Sequence, residues 1–188
     1  MIAAMEPPGI TRHRRPFLAP LWLTLLAVLI VAGVVYTVYR GAATTVVVLA
    51  SAGEKEPGTI DDPPISAEGE RRAQRLAQMF ASGGGPGRLN AVCVSGERRA
   101  QQTAAPVSEL LRLTPTVYDV KDAAAVAAGL VRGHEGGAVL VIGGSAALQQ
   151  FLRQLAGPSA GDAATEPDLL YIVSVPSFGR PRVLRLKY

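Results

Sequence analysis

Thr44-Thr45-Val46-Val47-Val48-Leu49-Ala50-Ser51-Ala52-Gly53-Glu54-Lys55 is the stretch from which the fold can be read. Its first residues, Thr44 to Val48, are β-branched without a break and show no alternation of apolar and polar positions. That pattern suits a strand of a parallel sheet buried on both faces. The run then ends in small residues and charge, as a strand does when it leaves the sheet. Two later junctions repeat the design. Ala91 to Val94 runs out into Ser95-Gly96-Glu97-Arg98-Arg99-Ala100-Gln101-Gln102-Thr103-Ala104, and Val139-Leu140-Val141-Ile142 into Gly143-Gly144-Ser145.

Helical patterns separate these strands. Residues 53–64 are dense in Pro, Gly and charge and read as a loop closed by Asp61-Asp62-Pro63-Pro64. Ser66 is placed to cap a helix whose first turn carries Glu68 and Glu70, the charge a helix dipole favours there. Ala73, Leu76, Ala77 and Phe80 follow at helical spacing. Gly83-Gly84-Gly85-Pro86-Gly87 is a connector. It lacks the Gly-Lys-Ser/Thr ending of a phosphate-binding P-loop and follows a helix. A second helix is expected over residues 98–112, with Ala100, Thr103, Ala104, Val107 and Leu111 on one side. A short strand over 116–120 leads to an Ala-rich helix capped by Asp122 and ending near Arg132, a strand over 138–142, and a helix from Ser145 carrying Leu148, Phe151, Leu152 and Leu155. Residues 169–175 and 182–186, separated by Pro176-Ser177-Phe178-Gly179-Arg180-Pro181, read as a hairpin. The alternation predicts an α/β fold, a three-layer sandwich with a mostly parallel sheet flanked by helices.

The three junctions together resemble the histidine phosphatase superfamily, also called phosphoglycerate-mutase-like. In that family the first strand ends in Arg-His, the middle motif reads Ser-x-x-x-Arg-Ala-x-x-Thr-Ala, and a later strand ends in Gly-His-Ser. The resemblance runs from about Thr44 to Tyr188 and includes Asp62-Pro63-Pro64-Ile65-Ser66-x-x-Gly69, a spacing common in small bacterial members. It also includes Val173-x-Val175-Pro176 and the run from Arg182 to Leu186. It implies a phosphotransfer site: the first His attacks a phosphoryl group, two Arg and the second His hold its oxygens, and an acidic residue protonates the leaving group in many members. The chemistry needs a nucleophile for phosphorus and donors for the spread negative charge.

This chain departs from that pattern. Ser51 stands at the position of the first Arg, Ala52 at that of the nucleophilic His, and Gly144 at that of the second His; Arg99 matches the remaining Arg. Ala52 has no nucleophile, and Gly144 offers only a backbone N–H. The resemblance therefore implies a non-catalytic domain that binds a phosphorylated ligand or a partner protein. Arg99, with backbone N–H groups at Gly53, Gly143 and Gly144 and the helix start at Ser145, is the expected anion pocket. The bland alternative is that Arg99 merely caps the sheet edge or pairs with Glu54. Two other readings stay open: a phosphohydrolase using an atypical nucleophile, Ser51 being the only nearby candidate, and a purely structural membrane-tethered interaction domain. No proton donor stands out among Glu54, Glu56, Asp61 and Asp62. His13 precedes the apolar segment, and His134 falls in a turn expected at the opposite sheet edge. No cofactor or metal is called for.

Charge and cysteine content narrow the partners. Of the 188 residues, those numbered 1–40 carry Arg12, Arg14, Arg15 and Arg40 against Glu6, whereas residues 41–188 carry 15 Lys and Arg against 14 Asp and Glu. The basicity sits in the N-terminal flank, so nothing marks the domain as a nucleic-acid binder. Cys93, the single cysteine, excludes an internal disulfide and reads as a small buried hydrophobe.

Residues 17–39, from Phe17 to Tyr39, contain no charge. As a helix they would extend about 34 Å, enough for a hydrocarbon core of about 30 Å. Pro20 falls in the first turn, where it is tolerated. Trp22 at one end and Tyr36 and Tyr39 at the other suit interfacial belts. The length favours an uncleaved anchor over a signal peptide, whose apolar region runs about 7–15 residues. Arg12, Arg14 and Arg15 before the span predict a cytoplasmic N-terminus (residues 1–16) and a periplasmic or extracellular domain over residues 44–188. The linker, residues 40–43, reaches at most about 14 Å and so holds that domain near the membrane surface.

Overall fold

The computed structural model describes residues 21–41, 44–58, 61–81, 88–161 and 169–187. It divides into two compact units, Met1–Arg40 and Gly41–Tyr188. In the first, helix α1 (Leu21–Gly41) carries its only charge at Arg40, and its Leu21–Val38 stretch, of mean hydropathy 2.5, is long and apolar enough to cross a membrane. Thr24 and Thr37 donate their hydroxyls to the carbonyls of Leu21 and Val34, both at 2.8 Å, so these polar groups are satisfied within the helix. The expected helix start at Phe17 and Pro20 lies outside the described residues, as does the glycine connector at 83–87.

The second unit is an α/β sandwich around one six-stranded mixed sheet. Its strands are β1 (Thr44–Ser51), β2 (Leu89–Ser95), β3 (Thr116–Tyr118), β4 (Ala138–Gly143), β5 (Leu169–Pro176) and β6 (Arg182–Lys187), in the order β3-β2-β4-β1-β5-β6. Strands β3, β2, β4 and β1 pair in parallel. β5 lies antiparallel to β1, and β6 antiparallel to β5 in the expected hairpin. Helices α2 (Ala67–Ala81) and α3 (Arg98–Leu111) cover one face; α4 (Ala123–Gly133) and α5 (Ser145–Ala156) cover the other.

Strand periodicity sorts the core. Val47, Leu49, Val139 and Val141 pack with Ala127, Leu148, Phe151 and Leu152 from α4 and α5. Their neighbours Val48, Ala50, Leu140 and Ile142 pack with Leu76, Phe80, Ala104 and Val107 from α2 and α3. Successive strand residues thus enter opposite cores, which is why the sequence shows no alternation. Cys93 is one of these core residues, and burial pushes its thiol up to about 11.

Ser66 caps α2 as expected, its hydroxyl accepting from Gly69 N–H at 3.2 Å. Two expectations need correction. Asp122 makes no side-chain cap to α4. Instead Asp119 accepts from Lys121 N–H at 2.9 Å and starts a single 3₁₀ turn, Val120–Asp122, which also ends β3 at Tyr118 before the expected Val120. Helix α3 stops at Leu111 because Arg112 turns left-handed (φ 55°), with Leu113 N–H bonded back to Ser108 O at 2.9 Å.

Candidate functional site

The carboxyl ends of β1, β2 and β4 meet at one edge of the sheet. Ser51 pairs in register with Gly143, and Ala52 N–H donates to Gly143 O at 3.0 Å, so the first and third junctions are stitched together. Ser51 and Ala52 are both buried, and Ala52 joins the core under α2 and α3.

The middle motif holds the loop that follows β1. Thr103 donates its hydroxyl to Arg99 O at 2.7 Å and accepts from Gly53 N–H at 2.8 Å. The Gly53 N–H is therefore engaged, and the expectation that it faces an anion is corrected. Gln102 Oε1 accepts from Ile65 N–H at 2.8 Å, and the Asp62 carboxylate accepts from Arg98 N–H with both oxygens at 3.1 Å. Asp62 thus supplies, across the loop, the cap that Glu97 does not give α3. Space at Gly53 is tight: a Cβ there would lie 2.5 Å from Ile65 Cδ1 and 3.2 Å from Gly69 Cα, so the Ile65 side chain would have to shift.

Glu54 is committed elsewhere too. Its Oε1 pairs with Arg72, a buried α2 residue whose guanidinium also donates to Ala52 O at 3.2 Å. Arg99 accordingly does not pair with Glu54. It pairs with Glu97, Nη2 to Oε2 at 3.3 Å, with both side chains part exposed. Glu97 Oε1 lies 3.1 Å from where a Cβ on Gly144 would be. One carboxylate therefore occupies the space between Arg99 and the third junction.

At that junction Gly143 is pinned by Tyr118. A Cβ on Gly143 would overlap the Tyr118 hydroxyl oxygen, which bonds to Ile142 O at 3.4 Å. Burial, reinforced by Cys93 and Glu97, pushes the Tyr118 hydroxyl well above its ordinary range. Gly144 is the N-terminal boundary of α5, accepting from Leu148 N–H at 3.1 Å, and Ser145 is the exposed first residue of that helix.

His134 follows α4 in the turn before β4, at the amino edge of the sheet and away from these junctions. Among the described residues no cluster of His, Cys, Asp or Glu is arranged to hold a metal ion. A groove of about 540 Å³ lies along α3 and β3, lined by Val94, Ala105, Ser108, Leu113 and Val117, and it includes none of Ala52, Arg99 or Gly144.

The residues that sequence reasoning missed are Arg72, Glu97 and Tyr118. Arg72 carried a signal, since it lies three residues after Gly69 and four before Leu76, on the apolar face of α2. Glu97 and Tyr118 carried none, because both act through contacts made only in three dimensions.

The comparisons agree with this architecture. Residues 50–121 match the model of the histidine phosphatase superfamily (branch 1). No curated protein matches the chain. Among solved structures it is similar to the protein histidine phosphatase SixA complexed with tungstate (18% identity, TM-score 0.63, 76% of this chain and 96% of that one). It is also similar to a putative phosphohistidine phosphatase SixA from Nakamurella multipartitia (19% identity, TM-score 0.56, 77% and 96%). A third likeness is a mycobacterial glucosyl-3-phosphoglycerate phosphatase (13% identity, TM-score 0.60, 74% and 97%). The domain that follows α1 thus has the fold of these solved phosphatases, and within it residues 50–121 match the histidine phosphatase superfamily (branch 1) model.

Proposed function

We propose that this chain is a single-pass membrane protein whose domain outside the cytoplasm is a non-catalytic histidine-phosphatase-like module that binds a partner protein. The observation that carries the reading is the Glu97 carboxylate. It sits against Arg99 at 3.3 Å and lies 3.1 Å from the Cβ position of Gly144. A phosphoryl group approaching Arg99 meets a negative charge already in place, and an imidazole at position 144 would have to displace that carboxylate. Ala52 supplies no nucleophile, and loss of even one electrostatic donor typically costs about 2.7–4 kcal/mol of barrier. Ser51, the remaining hydroxyl on β1 at this edge, is buried.

The scaffold around the site is intact, which suits a domain retained for its surface. The apolar α1 and the arginines before it support an anchor with its N-terminus in the cytoplasm. The test is turnover by the full chain in detergent micelles, assayed with aryl phosphates and phosphohistidine peptides. The expected result is no hydrolysis above buffer. Turnover that disappears in Ser51→Ala would overturn the proposal in favour of an atypical phosphohydrolase.

A further inference from the structure

The two edges of the sheet differ in the charges they carry, and the start of β1, which follows α1 in the chain, lies at one of them. The loops at the carboxyl edge, where the candidate site lies, mix both signs: Glu54, Glu56, Asp61, Asp62, Glu97 and Asp119 beside Lys55, Arg98, Arg99 and Lys121. The turns at the amino edge carry exposed arginines: Arg88 before β2, Arg112 after α3, Arg132 at the end of α4, and Arg180 and Arg182 at the β5–β6 hairpin. Glu109 and Glu135 are the acids near them, and none of these arginines has an ion-pair partner among the described residues.

The hairpin tip also holds Phe178, 80% exposed, on a turn set by Gly179 at φ +113°. The register places that tip beside the start of β1: Thr44 pairs with Pro176, and Thr44, Phe178, Gly179, Arg180 and Arg182 line one cleft. Thr44 follows Gly41, the last residue of α1, by only three peptide units. Those units reach at most about 11 Å, whatever direction the domain takes. An exposed aromatic flanked by unpaired arginines is the composition that binds at a lipid headgroup layer.

We infer that the β5–β6 hairpin tip, Phe178 with Arg180 and Arg182, is a second membrane contact that docks onto anionic lipid headgroups. It rests on the reading of α1 as a membrane anchor. Docking there fixes the orientation of the domain. β1 is eight residues long, about 26 Å at ~3.3 Å per residue. With the hairpin tip docked, the carboxyl edge with Glu97 and Arg99 faces away from the headgroups, open to a protein partner. A free domain on a short tether would tumble instead.

The experiment uses the full chain reconstituted into vesicles of phosphatidylcholine alone or mixed with phosphatidylglycerol. In a Cys93→Ala background, a fluorophore is attached at Ser177→Cys, beside the tip, or at Lys121→Cys, at the far edge, and quenched by headgroup-labelled lipid. Strong quenching at position 177 in anionic vesicles, little at 121, and relief by salt are expected. Arg180→Ala with Arg182→Ala should lower the docked-to-free ratio about 30-fold, ~2 kcal/mol at 1.4 kcal/mol per tenfold. Phe178→Ala should lower it further. Equal quenching at the two positions, or quenching at 177 indifferent to anionic lipid and to both variants, would overturn docking while leaving the anchor intact. Extraction of the whole chain by alkaline carbonate would overturn the anchor and the docking with it.

Discussion

Replacing Gly143 by alanine should destabilise the domain through one atom. The new Cβ would overlap the Tyr118 hydroxyl, and that ring cannot easily retreat: it is 5% exposed and meets Phe151 edge-on at 5.3 Å. Overpacking of a tight core typically costs about 1–3 kcal/mol, and a fixed ring against a central strand puts Gly143→Ala near ~2 kcal/mol. Tyr118→Phe removes the obstacle. Its own cost is small, about 0.5 kcal/mol, because the hydroxyl bond to Ile142 O is long at 3.4 Å. In the Tyr118→Phe background, Gly143→Ala should therefore cost less than about 1 kcal/mol, a coupling of ~1–2 kcal/mol between the two sites. For a domain of this size each kcal/mol moves the melting temperature by about 2–4 °C. Circular dichroism melts in detergent micelles are the suitable assay, because the single tryptophan, Trp22, lies in α1 and does not report on the domain. An equal cost in both backgrounds would refute the contact as the reason for glycine at 143.

Two further outcomes follow from buried groups. Arg72→Met should destabilise the domain by about 3 kcal/mol in urea titrations: breaking a buried pair costs about 3–5 kcal/mol, reduced here because Glu54 is partly exposed. A loss under ~1 kcal/mol would show that Arg72 does not hold the loop after β1. Stability should also fall at alkaline pH. The Cys93 thiol is raised to about 11 in the fold, so its contribution is fully present below the unfolded value and lost as pH rises from about 9 to 11. Tyr118 acts in the same direction. Cys93→Ala should flatten the first part of that decline, and native Cys93 should resist thiol reagents at neutral pH.

The parallel half of the sheet was legible in the sequence because both faces of β1 and β4 are buried, leaving unbroken runs of Val, Leu and Ile between helical patterns. The hairpin was legible from Pro176 to Pro181. The cap by Asp119 was not, since Asp119 and Asp122 both offer a carboxylate near the helix start and only the backbone selects between them. At the candidate site the sequence told which side chains are absent, at Ser51, Ala52 and Gly144. It did not tell what replaces them. Gly53 looked like a free donor until Thr103, fifty residues away, was placed against it, and Arg99 looked like a free cation until Glu97 was. The motif residues Gln102 and Thr103 emerge as ties that bind the loop after β1 to α3.

The most direct test of the account is phosphate-induced stabilisation of Glu97→Gln beside the unaltered chain. If the Glu97 carboxylate fills the anion position, millimolar phosphate leaves the melting temperature of the unaltered chain unchanged. Glu97→Gln should instead gain ~1.4 kcal/mol at about ten times its dissociation constant, a gain abolished by adding Arg99→Ala. Equal stabilisation by phosphate with and without the Glu97 carboxylate would contradict it.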